Sequence, residues 1–131
     1  MRLELLFSFF AFAILFAGFA TFSAAAQQTT NVTILDGSGL GLLCVAERNC
    51  FDPPLLHIVV GTTVTWKNND KFSHTITNGS PYDSQVGDKF DSGLISPGKE
   101  FSFTFRNAGT YHYFCELHPW MRGEIDIVHG H

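Results

Sequence analysis

In the segment YFCELHPWM, Cys115, His118 and Met121 follow one another at intervals of three residues. A thiol, an imidazole and a thioether on one short loop can face a common centre, but one loop rarely encloses a metal alone. His74, well upstream and directly after the turn-like NNDKFS, is the candidate fourth ligand. Two imidazole nitrogens and a thiolate in a plane, with a weakly bound thioether above, form the donor set of a type 1 copper site. Sulfur ligands stabilise Cu(I) and imidazole accommodates Cu(II), so a rigid frame holding a compromise geometry would let the ion change state with little rearrangement. The chemistry this predicts is one-electron transfer. Met121 is the weakest member of the set, because axial thioether bonds are long. Taken singly, a Cys or a Met in a β-protein is ordinary core filler; the spacing and the upstream histidine turn the reading toward metal. Zinc is the rival ion, but the chain lacks a paired Cys-x-x-Cys module and the equatorial donors favour copper in the affinity order of divalent ions.

Such a site needs a stiff scaffold, and the sequence supplies short strands between turn signals. In TTVTWKN, Val64 and Trp66 alternate with Thr63, Thr65 and Lys67; in EFSFTF, Phe101, Phe103 and Phe105 alternate with Ser102, Thr104 and Arg106. Period-two alternation belongs to strands with one buried face. Further strands are read at Asn31–Leu35, LLHIVV, HTIT, TYHYFC and GEIDIV, the last with Ile125 and Ile127 on one face. Glycine-rich DGSGLG, the stretch from Asn78 to about Asp88, and Asn107-Ala108-Gly109 are read as connections. The prediction is an all-β, Greek-key sandwich of seven to eight strands, antiparallel, with no crossover helices. The phenylalanine stripe is assigned to the core between two sheets.

The chain has 131 residues, room for one domain, and 14 phenylalanines, many of them in the opening LLFSFFAFAILFAGFATFSAAA. This stretch runs nearly without charge from Leu5 to Phe22 behind Arg2 and ends in Ala24-Ala25-Ala26, the small-residue pattern of an export signal. Residues 1–26 are therefore read as a signal peptide cut after Ala26, and residues 27–131 as the mature domain. An uncleaved membrane anchor is the alternative. The formal net charge is −4 with no basic run, which argues against nucleic acid. Of three cysteines, Cys44 and Cys50 lie close together in CVAERNC, and export favours their pairing, with two buried thiols as the alternative. A bridge there would stabilise the fold by about 2.4 kcal/mol on the chain-entropy account. Asn31-Val32-Thr33 and Asn78-Gly79-Ser80 are glycosylation sequons.

The loop CELHPWM, the strand TYHYFC leading into it, and VGTTVTWKNND followed by SHTIT together resemble the cupredoxins, the small blue copper proteins that include plastocyanin and amicyanin. The loop spacing is that of amicyanin, and CFDPP, FDSGLISPGKEFSFTF and HPWM are most similar to plastocyanin-like cupredoxins of archaea. The resemblance spans roughly Val32 to Val128. It implies one copper ion, with His74, Cys115 and His118 as equatorial ligands and Met121 as axial ligand. It also implies a shield of Phe114, Pro119 and Trp120, with His118 reaching the surface as the exit for the electron. One departure stands out: plastocyanin-type proteins commonly carry Asn after the first histidine, where it ties the two ligand loops together, and this chain has Thr75. Its hydroxyl can make such a bond, but with a shorter reach.

The expected function is that of an exported, monomeric electron carrier docking weakly with redox partner proteins near His118. No general base, nucleophile or substrate cleft is recognisable in the sequence, so an enzyme is disfavoured. A copper redox enzyme acting on a small molecule such as nitric oxide is one alternative. A non-redox copper carrier is another, opposed by the presence of only two methionines, Met1 and Met121.

Overall fold

Burial alternates along the strands as the sequence pattern requires. In the strand Thr63–Asn68, Val64, Trp66 and Asn68 are buried; in the strand Arg122–Val128, Gly123, Ile125 and Ile127 are. The computed structural model describes Gly18, residues 26–41 and residues 44–131. The signal peptide read at residues 1–26 lies almost wholly outside the described residues. Among the described residues, no helix is long and apolar enough to cross a membrane.

Among the described residues, eight strands form two four-stranded sheets. They are β1 (Thr29–Ile34), β2 (Phe51–Asp52), β3 (Leu55–Val59), β4 (Thr63–Asn68), β5 (Thr77–Asn78), β6 (Glu100–Thr104), β7 (Gly109–Phe114) and β8 (Arg122–Val128). One sheet has the order β2-β1-β4-β6 and the other β3-β8-β7-β5. The expected all-β sandwich is thus the observed one. Its pairing is not wholly antiparallel: β1 runs parallel to β4 and β3 parallel to β8. The chain achieves this by leaving the first sheet after β2, contributing β3 to the second, and returning as β4. Alternation has the same period in either direction, so strand polarity is invisible to it. HTIT also differs from expectation, since only Thr77 belongs to a strand. His74 is instead held by a two-way backbone bridge to Ile95, with N–H···O distances of 3.1 and 2.7 Å.

The core is aromatic. Trp66 is fully buried and stacks on Phe101 at 5.7 Å between centroids, with Tyr113 edge-on at 5.5 Å. Phe90 and Phe105 complete the cluster, and of the predicted phenylalanine stripe Phe105 is buried in the core while Phe101 and Phe103 pack against it partly buried. Gly123 lies opposite Tyr113 on the neighbouring strand, and a Cβ placed there would fall inside the Tyr113 ring. Gly123→Ala is expected to lower stability in urea denaturation by about 2–3 kcal/mol, the cost of overpacking a ring that has no space to retreat into.

Cys44 and Cys50 form the anticipated disulfide. It closes a segment containing a four-residue helix, Cys44–Glu47, too short to show periodicity in sequence. The two sequons differ sharply. Asn31 is exposed, whereas Asn78 is buried and its amide is committed: Nδ2 donates to Asp88, and Oδ1 accepts from the backbone N–H groups of Lys89 and Phe90. The folded protein therefore offers Asn31, not Asn78, as an acceptor.

Candidate metal centre

Two loops at one end of the sandwich carry the predicted ligands. The first leaves β4 at Asn68, whose buried side-chain amide donates to the carbonyls of Phe72 and Ile95 while its oxygen accepts from Asp70 N–H. These bonds fold residues 69–73 tightly and, with the Ile95 bridge, deliver His74 inward. The second loop leaves β7 after Phe114 and is closed by its own backbone. Cys115 N–H donates to Met121 O, His118 N–H to Cys115 O, and Met121 N–H to His118 O.

The structure brings His74, Cys115 and His118 into one cluster. Cys115 Sγ lies 3.6 Å from Nδ1 of each histidine, and the two Nδ1 atoms are 3.1 Å apart. The point equidistant from all three is therefore about 2.0 Å from each, the length of a metal–imidazole bond and slightly under a metal–thiolate one for a first-row ion. Both histidines present the same ring nitrogen, and Cys115 is the buried, unpaired cysteine. The donor set and its spacing fit a single copper ion. Met121 is fully buried at the close of the same loop.

Asp70 was not singled out in the sequence, and it governs the first ligand. Its Oδ2 lies 2.7 Å from His74 Nε2 and accepts Gly39 N–H at 2.8 Å; its Oδ1 accepts Gly37 N–H at 3.0 Å and Lys71 N–H at 2.8 Å. Burial alone would raise the Asp70 carboxyl, but the bonds from Gly39, His74, Gly37 and Lys71 prevail and hold it below 3.8. An ionised carboxylate can only accept, so Nε2 of His74 must be the donor and Nδ1 must carry the free lone pair. Burial pushes the pKa of His74 itself below 6.5, partly countered by Asp70. The only hint in sequence is an acidic residue four positions before the histidine, and Asp is too common in turns for that to stand out.

Thr75 makes the link that its shorter side chain put in question. Its hydroxyl accepts Glu116 N–H at 2.9 Å, tying the two ligand loops, and its backbone N–H points at Cys115 Sγ from 3.3 Å. The hydroxyl also meets Thr77 Oγ1 at 3.0 Å, which in turn donates to Asp91. Thr75→Val should therefore cost about 1–2 kcal/mol in urea denaturation, because Glu116 N–H and Thr77 each lose a partner.

Around His118 the surface is apolar. Phe72 and Trp120 stand edge-on to its ring at 6.2 and 5.2 Å, and both are exposed at about 40%, and Leu117, the chain neighbour of His118, at 52%. Gly39 and Gly41 leave room for this rim: a Cβ at Gly39 would meet the Phe72 ring at 2.7 Å, and one at Gly41 would meet the Trp120 indole at 3.0 Å. Of the expected shield, Phe114 is buried and Trp120 flanks the histidine, while Pro119 is exposed; Phe72 is a member the sequence did not reveal. His57 and His112 are not part of this cluster and lie exposed on the second sheet beside Asp126 and Glu124.

A two-sheet sandwich with a buried N,N,S cluster at one end defines a copper-binding β-protein. Comparison with known proteins makes the class specific. A family model described as copper binding proteins, plastocyanin/azurin family, matches residues 45–128, and the chain belongs to that family, the cupredoxins. It is 34% identical over 106 residues to plastocyanin of Scenedesmus fuscus, covering 74% of this chain and 99% of that one. It is 35% identical over 78 residues to amicyanin of Paracoccus denitrificans, covering 59% of this chain and 57%, under two thirds, of that relative. Among solved structures, a purple cupredoxin from Nitrosopumilus maritimus superimposes with a TM-score of 0.64 at 31% identity, over 75% of this chain and 98% of the other. The similarity to archaeal cupredoxins expected from the sequence is met by that structure.

Proposed function

We propose that this cupredoxin is an exported carrier of single electrons, with His74, Cys115 and His118 as equatorial copper ligands and Met121 as the axial one. The observation that carries the reading is the triangle of Nδ1, Nδ1 and Sγ at bonding distance from one point, inside a scaffold that fixes each corner. Copper in such a set supplies a Cu(II)/Cu(I) couple. The protein's contribution is to hold the donors still: Asp70 orients His74, Thr75 clasps both loops, and backbone bonds close residues 115–121. Little then moves when the charge changes, which favours rapid transfer.

His118 is the route outward, since it is the partly exposed ligand and is flanked by the exposed side chains of Phe72 and Trp120. A partner protein would dock there weakly and briefly, burying an apolar patch around the exit. Residues 1–26 act as the export signal, cleaved after Ala26, and residues 27–131 form the working domain.

Stopped-flow mixing of the copper-loaded protein with outer-sphere one-electron reagents tests this. The expected result is reversible bleaching of the thiolate-to-copper band, one electron per copper, with no change in the band when azide or nitric oxide is added. A band displaced by either molecule, with turnover, would instead identify a small-molecule redox enzyme.

A further inference from the structure

The turn at residues 37–41 touches both ligand loops while contributing no ligand. On one side, the N–H groups of Gly37 and Gly39 donate to Asp70, the carboxylate that orients His74. On the other, the carbonyl of Ser38 accepts the indole N–H of Trp120 at 2.9 Å, and Trp120 flanks His118. The turn is itself anchored: Ser38 is fully buried and its hydroxyl donates to Cys50 O at 2.9 Å, an oxygen that also accepts Leu35 N–H at 3.1 Å. Cys50 is fixed by its bond to Cys44. A continuous chain of contacts therefore runs from the disulfide through Ser38 to the surroundings of both histidines.

Resting on the copper reading above, we propose that Ser38 and its disulfide anchor form a positioning element for the metal centre, setting the His74 ring through Asp70 and the His118 side of the second loop through Trp120. A bridge that only stabilised its own loop would need none of these outward bonds. The converging amides at Gly37 and Gly39 are what a buried carboxylate requires, and Asp70 would lose half of its donors if the turn moved. Ser38, Cys44 and Cys50 are therefore positioning residues that act on the copper through Asp70 and Trp120.

The test uses the full-length chain as Ser38→Ala, as the double variant Cys44→Ser/Cys50→Ser, and as Trp120→Phe, which keeps a ring beside His118 but removes the indole donor. In the metal-free protein, exchange of the His74 Nε2 proton, followed by NMR, should accelerate about tenfold in Ser38→Ala and in the double variant, as local opening frees Asp70. Combining the two changes should add little, because both cut one chain of contacts. In the copper-loaded protein, all three variants should shift the thiolate-to-copper band or its copper hyperfine splitting. Variants that lose stability yet keep wild-type exchange and wild-type spectra would overturn the proposal. If the double variant does not fold, Ser38→Ala decides the matter alone. A wild-type protein without a thiolate-to-copper band would refute the copper reading instead, while the proton-exchange comparison would still decide whether Ser38 positions His74.

Discussion

Cys115→Ser should abolish the intense visible absorption of the copper-loaded protein and with it reversible one-electron exchange. The thiolate is the soft donor of the cluster and lies 3.6 Å from both imidazole nitrogens; a serine hydroxyl in its place is a poor ligand for Cu(I) and has no low-energy charge transfer to Cu(II). The fold should survive, because Cys115 is not in the disulfide and serine is smaller than cysteine. Burying a hydroxyl there should cost about 1–3 kcal/mol in the metal-free protein, readable by urea denaturation. Copper bound through the histidines alone should be weaker and should show the wide hyperfine splitting of ordinary Cu(II). Retention of the band would mean that Cys115 is not the thiolate bound to copper.

Asp70→Asn carries the second large effect. Partners that orient a ligating histidine typically account for 10- to 100-fold in metal affinity, and a loss in that range is expected by competition with a chromophoric chelator. The amide can replace only part of what the carboxylate does: four donors converge on Asp70, and an asparagine NH₂ would face some of them. The effect has a pH signature. The Asp70 carboxyl is depressed in the folded state, so its stabilisation is complete above its unfolded value of 3.8 and disappears as pH falls through the lower folded value. The stability gap between wild type and Asp70→Asn, measured without metal, should thus be full at neutral pH and close in strong acid. A gap that widened on acidification would contradict the assignment of an ionised Asp70.

The cluster was legible in the sequence because Cys115 and His118 share one short loop, where spacing alone limits the geometry. The sandwich was legible because Val64, Trp66, Phe101 and Phe103 alternate strictly with polar neighbours. Other features left no such trace. The parallel pairing of β1 with β4 follows from where the chain crosses between sheets, which depends on contacts remote in sequence. Asp70 sits in a turn that any Asp might occupy, and only the fold reveals that Gly37 and Gly39 aim their amides at it. The same holds for Phe72, which reads as a loop residue until the structure places it beside His118. At Thr75 the sequence showed a departure from the usual Asn but not its outcome: the hydroxyl reaches Glu116 N–H at 2.9 Å because the two loops lie close together.

The most direct test of the central claim is a Cu(II) titration of the full-length chain followed by visible and electron-paramagnetic resonance spectroscopy. The account predicts saturation at one copper per chain, an intense thiolate-to-copper band and a narrow copper hyperfine splitting. A colourless complex with a wide splitting, or saturation at a different stoichiometry, would contradict it.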